Sequence, residues 1–190
     1  FPPSVTKISE LAFSGCEMLE EVIIPPSITY IGTAAFKCCT SLKQITINPL
    51  KTFVETSAFQ ECKNLNSMIL CSEDTNIYPF NNESFQSITK ISIPISITKI
   101  KENSFKQYNS VKEISIPSSV LEIENGAFNG CQSLEKINLP QINKLEKCLF
   151  YGCSSLKKLE IPSTITVIEC FSLFGCISLE EITLPSSVIL

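Results

Sequence analysis

Residues 25–47 read PPSITYIGTAAFKCCTSLKQITI, and residues 117–139 read PSSVLEIENGAFNGCQSLEKINL. The two stretches are variants of one phrase. Phe13, Phe36, Phe59, Phe105 and Phe128 all stand on the frame it sets, with a period of 23 residues. Self-similarity at such a period is the mark of a solenoid: one unit cannot bury its apolar face alone and must stack on its neighbours.

Working outward from these copies, repeats begin at Pro2, Pro25, Asn48, Cys71, Pro94, Pro117, Pro140 and Pro162, with a partial one at Pro185. The copy starting at Pro140 is one residue short, in the loop before Ile142. The copy starting at Cys71 matches worst. It keeps Ile77, Ile88, Ile91 and Ile93 but lacks the Ala-Phe pair, and Phe85 stands where Cys62 stands one copy earlier. No linker or composition shift interrupts the array, so residues 1–190 are expected to form a single domain.

Each repeat has two halves. The second reads Leu-x-x-Ile-x-Ile-Pro, as in Leu134 to Pro140. Its alternation and β-branched residues predict a short strand, closed by a proline that has no N–H to give to a ladder. Equivalent strands one period apart must run parallel and stack at ~4.8 Å, giving a sheet roughly 35–40 Å long. In the first half, segments such as Ile28 to Ile31 are expected to be briefly extended. The Ala-Phe-x-x-Cys stretch is too short for an ordinary helix and is expected to make a helical turn, with Phe filling the space between the two walls.

These phrases resemble the leucine-rich repeats of the BspA type, a 23-residue class of bacterial and protist surface proteins. The match is carried by Ala12-Phe13-x-x-Cys16, Ala35-Phe36-x-x-Cys39, Ala58-Phe59-x-x-Cys62 and Ala127-Phe128-x-x-Cys131, each followed by the strand motif. The resemblance covers essentially the whole chain. It implies an α/β solenoid, a right-handed superhelix with a parallel β-sheet on the concave face and short strands or helical turns on the convex face. It also implies a non-catalytic protein-binding module, of the adhesin-like kind found on cell surfaces or secreted. An intracellular scaffold is the alternative reading.

Formal net charge is −4, and no basic run occurs. Nucleic-acid binding, which calls for a clustered positive face, is not expected. No apolar stretch approaches the length of a membrane span. The chain starts at Phe1 and stops inside a repeat, as expected of a segment of a longer protein. Uncapped solenoid ends of this kind are expected to associate end to end.

The ten cysteines sort mainly by repeat position. Cys16, Cys39, Cys62, Cys131, Cys153 and Cys176 form one column, where Cys serves as a small buried hydrophobe. Cys38, Cys71, Cys148 and Cys170 lie off it. Cys148 and Cys170 occupy nearly the same place in adjacent repeats and are the best candidates for a bridge. The chain has no His and no Cys-x-x-Cys pair, so no zinc site, cofactor or His-based catalysis is expected. Glu20-Glu21 and Glu180-Glu181 lie at opposite ends of the array and read as solvated sheet edges. Asn82-Glu83-Ser84 fits the N-glycosylation pattern.

Candidate ligand-binding residues are those the strands turn outward. Between the core Leu and Ile of successive strands stand Lys43, Lys90, Lys112, Lys136 and Lys158. The next outward position gives Ile23, Thr46, Ile69, Ser92, Ser115, Asn138 and Glu160. Solenoid ligands dock on the concave wall these positions line, and a protein, such as a host matrix or surface protein, is the expected partner. No aromatic falls at these positions to act as an anchor, so weak or multivalent binding is expected.

Overall fold

The computed structural model describes residues 1–72, 74–80 and 83–188. The chain comprises two compact units, one of Phe1–Cys71 with Asn81–Thr89 and one of Ser72–Phe80 with Lys90–Leu190. Each is a parallel-strand solenoid.

The strands of the first unit are β1 (Lys7–Ile8), β2 (Glu21–Ile23), β3 (Tyr30–Ile31), β4 (Gln44–Ile47), β5 (Phe53–Val54) and β6 (Ser67–Leu70). The Leu-x-x-Ile-x-Ile segments form the main sheet, β2-β4-β6, with Val22, Ile45 and Met68 in register and buried. The narrower β1, β3 and β5 pair into a second sheet. In the second unit come β7 (Asn76–Ile77), β8 (Lys90–Ser92), β9 (Lys99–Ile100), β10 (Glu113–Ser115), β11 (Glu122–Ile123), β12 (Lys136–Ile137), β13 (Lys144–Leu145), β14 (Lys158–Glu160), β15 (Val167–Ile168) and β16 (Glu181–Thr183). Its main sheet runs β8-β10-β12-β14-β16, all parallel. Its narrow strands pair as β7-β9-β11 and separately as β13-β15. The gap between β11 and β13 falls in the copy that is one residue short.

Core filling follows the repeat. Phe13, Phe36 and Phe59 stack face to face at 5.1 and 5.2 Å between ring centroids. Phe105, Phe128 and Phe150 do so at 5.7 and 5.4 Å. Identical side chains meet because identical backbone positions lie one coil apart.

The Ala-Phe-x-x-Cys stretch is not a helical turn. It is a run of overlapping β-turns. Ala12, Ser14 and Cys16 each donate their N–H three residues back, to Ser9, Leu11 and Phe13. The alternate donors, Leu11, Phe13 and Gly15, point instead to the carbonyls of Thr33, Ala35 and Lys37 in the next coil. Positive φ at Leu11 (58°) and Gly15 (77°) makes this alternation possible. A helix would turn every N–H back along itself and leave nothing to tie one coil to the next. Among the described residues, helix is confined to the three-residue 3₁₀ turn Glu83–Phe85, in the irregular copy.

Candidate functional site

The outward face of each main sheet consists of columns, because parallel pairing in register sets equivalent residues side by side. In the first unit one column is Glu21, Gln44 and Ser67, and the next is Ile23, Thr46 and Ile69. Ile23 is 61% exposed, while Ile69 is half-buried. In the second unit one column is Lys90, Glu113, Lys136, Lys158 and Glu181. Ser92 pairs with Ser115, and Glu160 with Thr183, in the column beside it. Asn138 directly follows β12.

Of the candidate residues, Lys136, Asn138, Lys158 and Glu160 come together. They line a depression of about 260 Å³, with Glu135, Ile137 and Lys157 completing its wall. A neighbouring hollow of about 130 Å³ brings Ser115 against Lys136 and Asn138. Ile23, Thr46 and Ile69 form a separate strip in the first unit. Lys43 and Lys112 stand one residue ahead of their strands. Each is held by a glutamate one coil away, Lys43 Nζ at 3.0 Å from Glu20 and Lys112 Nζ at 3.4 Å from Glu135. Lys90 meets Glu113 at 3.5 Å, and Lys158 meets Glu160 at 3.1 Å. Such exposed pairs are worth about 0–1 kcal/mol each. Their main effect is to leave a surface of alternating sign, which a ligand of alternating sign can exchange into at small cost.

The narrow sheets carry charge that the strand motif gives no reason to expect. Lys99 Nζ lies 2.8 Å from Glu122 and 2.7 Å from Glu124, and Lys101 Nζ lies 3.3 Å from Glu124. The hydrogen bond from Lys99 holds the Glu124 carboxyl below the usual range. Lys144 bridges Glu146 and Glu169 at 3.2 and 3.0 Å. In the first unit the Tyr30 ring stacks on Phe53 at 5.9 Å, and Lys7 Nζ sits 4.8 Å from the Tyr30 centroid.

The cysteine column is more than a row of small hydrophobes. Cys39, Cys62, Cys131 and Cys153 are buried, Cys176 is half-buried and Cys16 is exposed. Each thiol from Cys39 onward donates to the carbonyl of the preceding coil's Phe, as Cys62 does to Phe36 (3.0 Å) and Cys131 to Phe105 (3.0 Å). Burial pushes Cys62 up to about 11 and Cys131 up to about 12. These thiols are therefore poor nucleophiles at neutral pH. Cys148 and Cys170 are unbridged thiols, the first half-buried and the second exposed. Among the described residues no three His, Cys, Asp or Glu side chains gather to hold a metal ion, and no helix is long and apolar enough to cross a membrane. The glycosylation pattern starts at residue 82, outside the described residues.

With this geometry in hand, comparison with known proteins is direct. The BspA type leucine rich repeat region matches in six copies, over residues 1–85 and 76–189. A leucine-rich repeat protein of T. pallidum, solved by crystallography, is 26% identical, with a TM-score of 0.51 over 93% of this chain and 72% of its own. One from Bacteroides ovatus is 28% identical, with a TM-score of 0.43 over 94% of this chain and 40% of its own. A leucine-rich cell surface protein of Faecalibacterium prausnitzii is 24% identical, with a TM-score of 0.46 over 93% of this chain and 62% of its own. No curated protein matches.

Proposed function

Because this chain belongs to the BspA type leucine-rich repeat family, we propose that it is a non-catalytic module that binds a protein ligand through the outward face of its main strands. The observation that carries the reading is the depression shared by Lys136, Asn138, Lys158 and Glu160. There two ammonium groups, an amide and a carboxylate sit together on the outward face of the strands. A polypeptide offers the matching set: carboxylates for the lysines, an ammonium group for Glu160, and carbonyls and amides for Asn138. Ile23 and Thr46 stand at the equivalent outward strand positions of the first unit. The absence of exposed aromatic or Arg anchors from these columns favours a contact made repeatedly along the array, strengthened by multivalency. Family membership supports a place at the cell surface, where the partner would be a matrix or surface protein of another cell.

The test is a binding screen of the purified chain against immobilised extracellular matrix and cell-surface proteins. A hit is then repeated with Lys136→Glu and Lys158→Glu. The expected result is saturable binding that the double reversal weakens at least about tenfold, the factor that corresponds to ~1.4 kcal/mol. A hit indifferent to both substitutions would overturn the assignment to this face.

A further inference from the structure

On the main sheet of the second unit, one outward column runs Lys90, Glu113, Lys136, Lys158, Glu181. The residues just before it in each coil form a second row, Lys112, Glu135, Lys157, Glu180. Its members are tied in series, Glu135 N–H donating to Lys112, Lys157 N–H to Glu135 and Glu180 N–H to Lys157. Charge alternates from coil to coil along both rows, except at one step, where Lys136 stands directly opposite Lys158. Alternation lets each lysine meet the glutamate of the next coil, as Lys90 meets Glu113 at 3.5 Å and Lys112 meets Glu135 at 3.4 Å. Like charges set opposite each other repel instead.

The break leaves two ammonium groups over. Glu113 is engaged by Lys90, Glu135 by Lys112, and Glu160 by Lys158 at 3.1 Å. Among the described residues no carboxylate lies within salt-bridge distance of Lys136 or Lys157, although Glu180 follows Lys157 in its row. Both of these exposed lysines line the depression of about 260 Å³ that Lys158, Glu135 and Glu160 also line. Its two glutamates are thus already held, and two of its three lysines are not. A chain of net charge −4 presents here a local positive site. The site is short. It spans two strands, ~5 Å apart, and is bordered by Glu113 on one side and by Glu180 and Glu181 on the other.

We propose that this depression is an anion subsite that takes two carboxylates from a short acidic segment of the protein ligand, one against Lys136 and one against Lys157. Resting on the polypeptide-binding reading of this face, the assignment adds a sequence preference: two acidic residues with basic or neutral residues on either side. The borders decide which anion fits. A continuous polyanion, such as a nucleic acid or a sulfated glycan, carries its charge across several strands and meets Glu113 and Glu180 with Glu181 as well. A polypeptide can change sign within one or two residues, each advancing ~3.3 Å. It can therefore set carboxylates on the lysines and Lys or Arg on the bordering glutamates. Ammonium–carboxylate hydrogen bonds are the charge-assisted kind. Matching of sign along a surface of this sort selects the partner more than it raises affinity.

The experiment is amide NMR on the isotope-labelled chain titrated with a capped Lys-Ala-Glu-Glu-Ala-Lys peptide at low salt. The amides of Lys136, Asn138, Lys157 and Lys158 should shift saturably, and the response should weaken as added salt screens the charges. Lys136→Gln with Lys157→Gln should weaken binding at least about fivefold, the combined worth of two exposed ion pairs. Replacing both peptide glutamates by glutamine should weaken it as much. Lys106→Gln removes the same charge from an exposed lysine in a turn run, off this face, and should change nothing. A capped hexaglutamate peptide and a sulfated oligosaccharide should bind no more tightly than the peptide of mixed sign. The proposal is overturned if the mixed peptide gives no saturable shift, if either polyanion binds more tightly, or if the glutamine peptide binds these amides as well as the glutamate one. It is equally overturned if binding is indifferent to Lys136→Gln with Lys157→Gln. Each of these results removes the anion subsite and leaves the polypeptide-binding reading standing, since that reading fails separately, in the screen of matrix and surface proteins.

Discussion

Replacing Glu61 by glycine should stabilise the protein. Glu61 is exposed and holds φ at 61°, in the position that Gly15, Gly130, Gly152 and Gly175 occupy in other coils. Left-handed φ costs an L-residue about 1–2 kcal/mol. Glycine avoids that cost but gives back about 0.5–1 kcal/mol through the greater freedom of its unfolded chain. The exposed contact of Glu61 with Lys63, at 3.4 Å, adds a few tenths at most. The net expectation is about 0.5–1 kcal/mol of stabilisation, a rise in Tm of roughly 1–4 °C for a chain of this size. The reverse change is the control. In Gly130→Ala the new Cβ meets only Gln107, at 3.4 Å from its Cγ and 3.8 Å from its Cα and N, all ordinary contacts. The loss is thus conformational and should match the gain in size with opposite sign. Gly32 differs. Its added Cβ would lie 2.9 Å from the Glu10 nitrogen and 3.1 Å from the Ser9 carbonyl carbon, both backbone. Gly32→Ala should therefore cost more than Gly130→Ala, of the order of 1–3 kcal/mol, by forcing two coils apart. Urea unfolding curves for the three variants check this. If Glu61→Gly lowers the midpoint, or Gly130→Ala leaves it unchanged, positive φ at this column is not what the glycines are for.

Two further outcomes follow from the core. Phe128→Ala removes a ring with no solvent exposure, stacked on Phe105 and Phe150, and should cost about 3–5 kcal/mol by the same unfolding assay. The thiol column makes stability fall in alkali. The Cys131 thiol is held up to about 12 by burial, whereas an unfolded thiol titrates near 8.5, so between these values the unfolded chain has lost a proton that the folded one keeps. The contribution is complete below about pH 8.5 and drains away as pH rises toward 12, by at most ~1.4 kcal/mol per pH unit for each such thiol. Cys131→Ala should flatten the decline of the urea midpoint above pH 9, and an unchanged slope would refute the assignment.

The strands were legible because their signal is local. Leu-x-x-Ile-x-Ile fixes which side chains turn inward, and the period fixes parallel register, so Ile45 beside Met68 follows from counting. The turn run was misread as helical for a physical reason. Its decisive feature is the sign of φ at alternate residues, and only some copies announce it with glycine. Cys38, Glu61 and Gln107 adopt the same left-handed backbone without the residue that would signal it. The Cys column reads as buried from its period, which holds for Cys39, Cys62, Cys131 and Cys153 but not for Cys16 at the edge of the array, and its S–H bonds to Phe carbonyls depend on the exact stacking of coils. The outward columns follow from the same alternation. That Lys136, Asn138, Lys158 and Glu160 share one hollow whereas Lys43 and Lys112 are tied off by glutamates depends on rotamers, which no repeat pattern encodes.

Regularity and irregularity have different uses in such a chain. In the regular coils the donors of the turn run alternate between carbonyls of the run itself and carbonyls of the next coil, as from Leu11 to Cys16, and equivalent Phe side chains stack on one another. A ligand can then address only the outward columns, whose residues are free to vary because nothing structural depends on them. The coil of Phe59 breaks this rule. Its neighbour in the first unit spends the Ser84 hydroxyl on the carbonyls of Val54 and Glu55 and sets the Phe85 ring, tilted rather than stacked, against Phe59. The copy that least resembles the repeat thus keeps an aromatic ring in the core by a different residue of its phrase, Phe85 in place of the missing Ala-Phe pair.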